Sequence, residues 1–88
     1  YGDMFREGVD RLKEEKVEEA MAIFTTLSIM RPEGFGSFFN LGVAQAKLKN
    51  YPLSLKMFKR AKELNPEHEL TDRYIEKVER LLAAGDAT

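Results

Sequence analysis

The chain has 88 residues, 43% of them hydrophobic and 33% charged, with 14 Lys and Arg against 15 Asp and Glu, a single His and a net charge of −1. A chain this short buries only about 60–65% of the surface it exposes when unfolded, which allows one core and excludes a second domain facing it across a catalytic cleft. The balanced charge gives no pull towards nucleic acid or a membrane surface, no apolar run approaches the ~20 residues of a membrane span, and the lack of cysteine excludes disulfides, thiol chemistry and thiolate-bound zinc while leaving the redox compartment undetermined.

The chain opens at Tyr1 rather than Met, as expected of an excised or processed piece of a longer protein. No stretch alternates with the period of a half-buried strand, and apolar residues recur at helical spacing throughout. The first predicted helix runs from about Gly2 to Glu14, with a turn at Lys16-Val17. The second runs from about Glu18 to Met30 and stops at Arg31-Pro32-Glu33-Gly34, because the residue before a proline is pushed out of the helical region. The third spans about Gly34 to Leu48; Asn50 is placed to take the left-handed conformation of a helix end, and Pro52 suits the first turn of the fourth helix, Pro52 to Leu64. Asn65-Pro66 ends that helix. A fifth spans about Glu69 to Ala84, with Gly85 as its stop signal.

Shifting the chain by 34 residues superimposes Gly2 on Gly36, Phe5 on Phe39, Gly8 on Gly42, Val9 on Val43, Lys13 on Lys47, Phe24 on Phe58, Pro32 on Pro66 and Glu33 on Glu67. Chance at average composition gives about two identities. Gly8 and Gly42 lie inside helices, where glycine costs ~0.8–1 kcal/mol relative to alanine, so the repetition implies close approach of two helices at those points, with Phe24 and Phe58 supplying bulk. The period, together with Phe38, Leu41-Gly42, Ser54, Phe58, Ala61 and Pro66 in the second unit and Met4, Gly8, Ala20, Phe24 and Pro32 in the first, resembles the tetratricopeptide repeat. Glu7 stands where that pattern has Leu, and Arg11 and Gln45 stand where it has an aromatic. The resemblance implies an all-α superhelix of five antiparallel helices. Residues 1–34 would be a first repeat, 35–68 a second and 69–85 a capping helix, because Glu76, 34 residues past Gly42, cannot serve a close approach. The apolar stripe Leu70, Tyr74, Ile75, Val78, Leu81 and Leu82 opposite Glu69, Asp72, Arg73, Glu76, Lys77, Glu79 and Arg80 is what a terminal element needs.

In that family the first helix of each hairpin lines the concave side. The resemblance places Gly2, Phe5, Val9, Leu12 and Lys13 there, then Gly36, Phe39, Val43, Ala46 and Lys47, then Leu70, Arg73, Lys77 and Arg80; the spacing 2, 5, 9, 12, 13 is one helical face. The expectation is an open trough with Phe and Val on its floor and Lys13, Lys47 and Lys77 along one end. Such a trough suits a peptide or helix with apolar anchors and acidic residues. The bland alternative is that Phe5 and Phe39 touch each other and the terminal helix and are simply core. A subtype of the family clamps a C-terminal carboxylate with Lys, Asn and Arg; only Asn40 matches, while Phe5, Val9, Leu70 and Tyr74 fill the other positions, so the clamp is rejected. The apolar face is more similar to those of secretion chaperones or assembly scaffolds.

Residues 1–34 carry net charge −3, residues 35–68 net +4 and residues 69–88 net −2. Lys56, Lys59, Arg60 and Lys62 form a basic stretch that reads first as a solvated face, since no aromatic ladder or nucleic-acid motif accompanies it. His68 stands alone beside Glu67 and Glu69, no phosphate-cradling loop is present, and no nucleophile has a base and an orienting group, so neither an enzyme nor a cofactor is expected. The leading expectation is a protein-binding adaptor or scaffold using the concave face. The alternative is self-association into homo-oligomers through Tyr1, Met4 and Phe35 near the N-terminal end. Nucleic acid is not expected as a partner, nor is membrane insertion.

Overall fold

Two kinds of helix end, each used twice, divide the chain into hairpins. Residues 2–86 are described in the computed structural model of the protein, and they form α1 Gly2–Lys13, α2 Val17–Met30, α3 Phe35–Lys47, α4 Tyr51–Leu64 and α5 Glu69–Asp86, with no strand among them. At the ends of α1 and α3 the N–H of Lys16 donates to Arg11 O at 2.8 Å and that of Asn50 to Gln45 O at 2.9 Å. These six-to-one bonds close over Glu15 and Lys49, both at φ 62, the geometry of a Schellman ending. The left-handed residue is therefore Lys49 and not Asn50, whose φ is −91. The register of the ring decides this: Asn50 supplies the closing N–H, and the strained position falls one residue earlier, on a side chain poorly suited to it. At the ends of α2 and α4, Arg31 and Asn65 precede prolines and leave the helix with ψ 83 and 80 while still donating to Leu27 O and Ala61 O.

Sequential helices pack against one another from α1 to α5, and α1 also touches α3, so the molecule is a stack of antiparallel hairpins with the core along the stack. Phe24, Leu27, Ala20, Ala44, Phe58 and Ala61 are fully buried within it. The expected close approaches are present, and their partner is an aromatic ring. A Cβ on Gly8 would sit 2.7 Å from Phe24 Cζ, and one on Gly42 would sit 2.7 Å from Phe58 Cδ1. Real side chains do not reach that distance, so each glycine admits a ring from the facing helix. Gly85 differs: α5 continues through it to Asp86, and nothing lies within 4 Å of where its Cβ would be. One glycine near the end of an 18-residue helix does not outweigh the packing of the turns before it.

α5 sits where the first helix of a further hairpin would sit. Thr71 and Val78 are buried against the stack, and Tyr74, Ile75 and Leu82 are half-buried. Glu76 and Glu79 are exposed, while Asp72 forms an ion pair with Lys62 of α4. The N-termini of α3 and α5 differ in one detail. The Thr71 hydroxyl lies 2.8 Å from His68 Nδ1, whereas the corresponding Ser37 hydroxyl, equally buried, has no hydrogen-bond partner among the described residues, because Gly34 stands where His68 does.

Three substitutions test these contacts by urea denaturation. Gly42→Ala should lower stability by about 1–3 kcal/mol despite alanine's better helix propensity, as overpacking does, while Gly85→Ala should be neutral or mildly stabilising. Lys49→Gly should raise stability by about 0.4–1 kcal/mol by removing the left-handed strain. Ser37→Ala should cost nothing or stabilise, since it deletes an unsatisfied buried hydroxyl whose burial costs about 1–3 kcal/mol.

Candidate functional site

The positions expected on the concave side lie on α1, α3 and α5, and the structure divides them into three groups. Leu12 is a correction: it is 6% exposed and belongs to the main apolar cluster with Phe24, Leu27 and Leu41. Its spacing matches the face, but at the end of α1 that face turns under the α2 hairpin. Val9 is partly buried and packed on the same cluster, and Lys13 is exposed.

Phe5 and Phe39 form the second group. Phe5 sets its edge on Phe24 at 5.4 Å between ring centroids and reaches α3, where a Cβ on Gly36 would lie 2.9 Å from Phe5 Cε2. Phe39 lies within 5.9 Å of Phe35, 5.6 Å of Phe58, 5.3 Å of His68 and 5.6 Å of Tyr74. Both rings are half-buried wedges that join one hairpin to the next helix, so the trough floor is not an open phenylalanine ladder. The repeated glycine at 36 follows from this, because Phe5 presses on its backbone; Gly2 meets nothing within 4 Å. Asn40 is also occupied, its Nδ2 donating to Gly36 O at 2.8 Å. The surface imagined for self-association loses its members in the same way. Met4 packs on the core, Phe35 lies 4.7 Å from the His68 ring, and Tyr1 lies outside the described residues.

The third group converges. Val43, Ala46 and Lys47 of α3 and Lys77 of α5 line a pocket of about 370 Å³, together with Tyr51, Phe58, Tyr74, Val78 and Leu81. Arg73 is exposed on α5 but does not line it. Tyr74 stacks on Phe58 with centroids 5.4 Å apart and planes 2° from parallel, which holds the first half of α5 against α4 and leaves the pocket beside it, between α3 and α5. The volume suits one or two apolar side chains.

Its rim carries two cations in different states. Lys47 Nζ is 3.1 Å from Glu15 Oε1 at the α1–α2 turn; Lys77 has no carboxylate partner among the described residues. An exposed pair such as Lys47–Glu15 contributes about 0–1 kcal/mol, so a carboxylate entering the pocket can displace Glu15 at little cost. Leu81 and Tyr74 escaped the sequence reading of the face, yet Leu81 is 34 residues beyond Lys47, and carrying the repeat one position further along α5 finds it.

Among the described residues no three His, Asp or Glu side chains are grouped to hold a metal ion, and no helix is long and apolar enough to cross a membrane. Residues 37–68, which cover α3 from its third residue, α4 and the turn after it, match the family model for the tetratricopeptide repeat. No curated protein matches the chain. Residues 37–68 thus resemble a tetratricopeptide repeat, a family of protein–protein interaction modules.

The core assignment of Leu12 separates it from the pocket residues by stability. Leu12→Ala should destabilise by about 2–5 kcal/mol, and Leu81→Ala, at an exposed pocket edge, by about 0.5 kcal/mol or less, both measured by thermal unfolding followed by circular dichroism.

Proposed function

We propose that this tetratricopeptide repeat protein serves as an adaptor or assembly scaffold by holding a helix or extended segment of another protein across α3 and α5, with one leucine- or phenylalanine-sized anchor in the Val43–Tyr74–Leu81 pocket and an acidic residue against Lys77. The observation that carries the reading is the pocket itself: an apolar floor built from α3, α4 and α5, with a lysine at its rim that has no carboxylate partner among the described residues. Apolar contacts supply affinity there, and the cation selects orientation and sign of charge.

Magnitudes limit how small the ligand is. Burying one such anchor contributes ~1.5–3 kcal/mol, well short of the ~8 kcal/mol of a micromolar complex. Binding therefore needs a segment that also runs along the rest of the trough, past exposed Lys13 and the half-buried edges of Val9 and Phe5. A free amino acid or a short acidic peptide without an anchor gains too little to offset its ordering cost.

The test uses a fluorescein-labelled synthetic amphipathic helix with Leu and Glu on one face, titrated by anisotropy, and its counterpart with Lys in place of each Glu. Leu81→Asp should weaken binding of the acidic peptide at least ~10-fold, the ~1.4 kcal/mol that one poorly filled anchor site represents. Lys77→Glu should weaken the acidic peptide and strengthen the basic one. Both positions are exposed, so helicity is retained. Equal affinities for all variants and both peptides would discard the pocket as the binding site.

A further inference from the structure

A second opening lies within the α3–α4 hairpin. Phe38 of α3 and Lys56, Met57, Lys59, Arg60 and Glu63 of α4 line a crevice of about 540 Å³. Phe38 and Met57 are half-buried and form its apolar walls, and the four charged side chains are exposed around them. The residues 34 positions earlier are Met4, Ala22, Ile23, Thr25, Thr26 and Ile29, none of them charged, so the charged rim belongs to the second hairpin and is not a consequence of the repeat. The three cations are in different states. The Arg60 guanidinium lies 5.8 Å from the centre of the Phe38 ring, and its Nη1 is 3.4 Å from Glu63 Oε1, which occupies the one carboxylate at the rim and makes the arginine part of the wall. Lys56 and Lys59 have no carboxylate partner among the described residues. Three positions apart on α4, they share one helical face, and their methylene stems extend the apolar surface beneath the ammonium groups. Met57 between them has the adaptable side chain that accepts anchors of different shape.

We propose that this crevice is a second docking site, separate from the concave pocket, that takes an acidic segment of a partner protein: one leucine-sized side chain enters between Phe38 and Met57, and flanking carboxylates pair with Lys56 and Lys59. Charge complementarity selects that occupant. Residues 35–68 carry net charge +4 in a chain of net −1, so the field at this hairpin attracts a negative segment although the molecule as a whole does not. The walls select a protein over a nucleic acid. A single strand of nucleic acid gains its affinity by stacking bases on open aromatic faces along a basic groove; here Arg60 already covers a face of Phe38, and Glu63 at the rim opposes a run of phosphates. No residue lines both this crevice and the concave pocket, so the two can be filled together, and the molecule bridges two segments.

Met57 reports on the crevice directly, because the other methionines, Met4, Met21 and Met30, do not line it. Methionine methyl resonances are followed by NMR while the protein is titrated with a synthetic peptide carrying a central Leu between pairs of Glu, up to ~1 mM, the range of a single-anchor complex. The Met57 methyl should shift progressively while those of Met4, Met21 and Met30 stay in place. A counterpart peptide with Gln for each Glu should need at least ~10-fold more for the same shift, and so should the original peptide with the double variant Lys56→Glu, Lys59→Glu. Both lysines are exposed, so circular dichroism should be unchanged. Leu81→Asp, which alters the concave pocket alone, should leave the Met57 response as it is. A Met57 methyl unmoved at ~1 mM overturns the proposal. So does an equal response to the Gln peptide, an equal or stronger response to oligouridylate or to phosphatidylserine vesicles, or a shift on concentrating the protein by itself, which would assign the crevice to a second copy.

Discussion

Two aromatic rings pressed onto the backbone of two glycines hold the structure in register. Phe24 on Gly8 and Phe58 on Gly42 draw the helices of each hairpin closer than any side chain at 8 or 42 would permit. The glycines are unfavourable to their helices by ~0.8–1 kcal/mol each, and the buried rings offset this, since a fully buried phenylalanine contributes about 1.5–3 kcal/mol. Each ring then serves as a platform for the next layer. Phe5 stands edge-on to Phe24 and reaches Gly36, and Phe39 stands edge-on to Phe58 and reaches Tyr74. The stack propagates through ring contacts, one helix at a time.

The position of the pocket follows from that propagation. Tyr74 lies flat on Phe58 and anchors α5 to α4, so α5 follows α4 rather than closing on α3, and the gap beside Tyr74 exposes Val43, Ala46 and Leu81. The same wedges that join the hairpins thereby fill the middle of the α1–α3–α5 face, and the opening lies in its C-terminal part. There it meets Lys77, on the element whose outer face is otherwise charged. A repeat fold thus offers a small apolar opening with a defined sign of charge, although the chain as a whole is nearly neutral.

Much of the fold was legible in the residues because the repeat doubles every signal. Gly8 and Gly42 at one register announced a close approach, and Pro32 and Pro66 marked the ends of α2 and α4 to the residue. What escaped was of two kinds. Asn50 carries the usual mark of a left-handed residue, yet the ring closure puts that conformation on Lys49, and only the hydrogen-bond register distinguishes the two. Leu12, Phe5 and Phe39 share a helical face with true pocket residues. Helical spacing says which residues share a direction, but how far the neighbouring helix overlaps that direction is a tertiary property. At Leu12 the overlap is complete, at Phe5 and Phe39 partial, and at Val43 and Ala46 small enough to leave an opening.

The ring-on-glycine contact is tested most directly by a double-mutant cycle on Gly42→Ala and Phe58→Leu, with unfolding free energies measured in urea. If the alanine methyl is costly because it meets the ring, the smaller and more adaptable leucine relieves it, and the two changes fall short of additivity by about 1 kcal/mol or more. Additivity within about 0.5 kcal/mol would mean that glycine at 42 answers some other need and that the rings do not set the register of the stack.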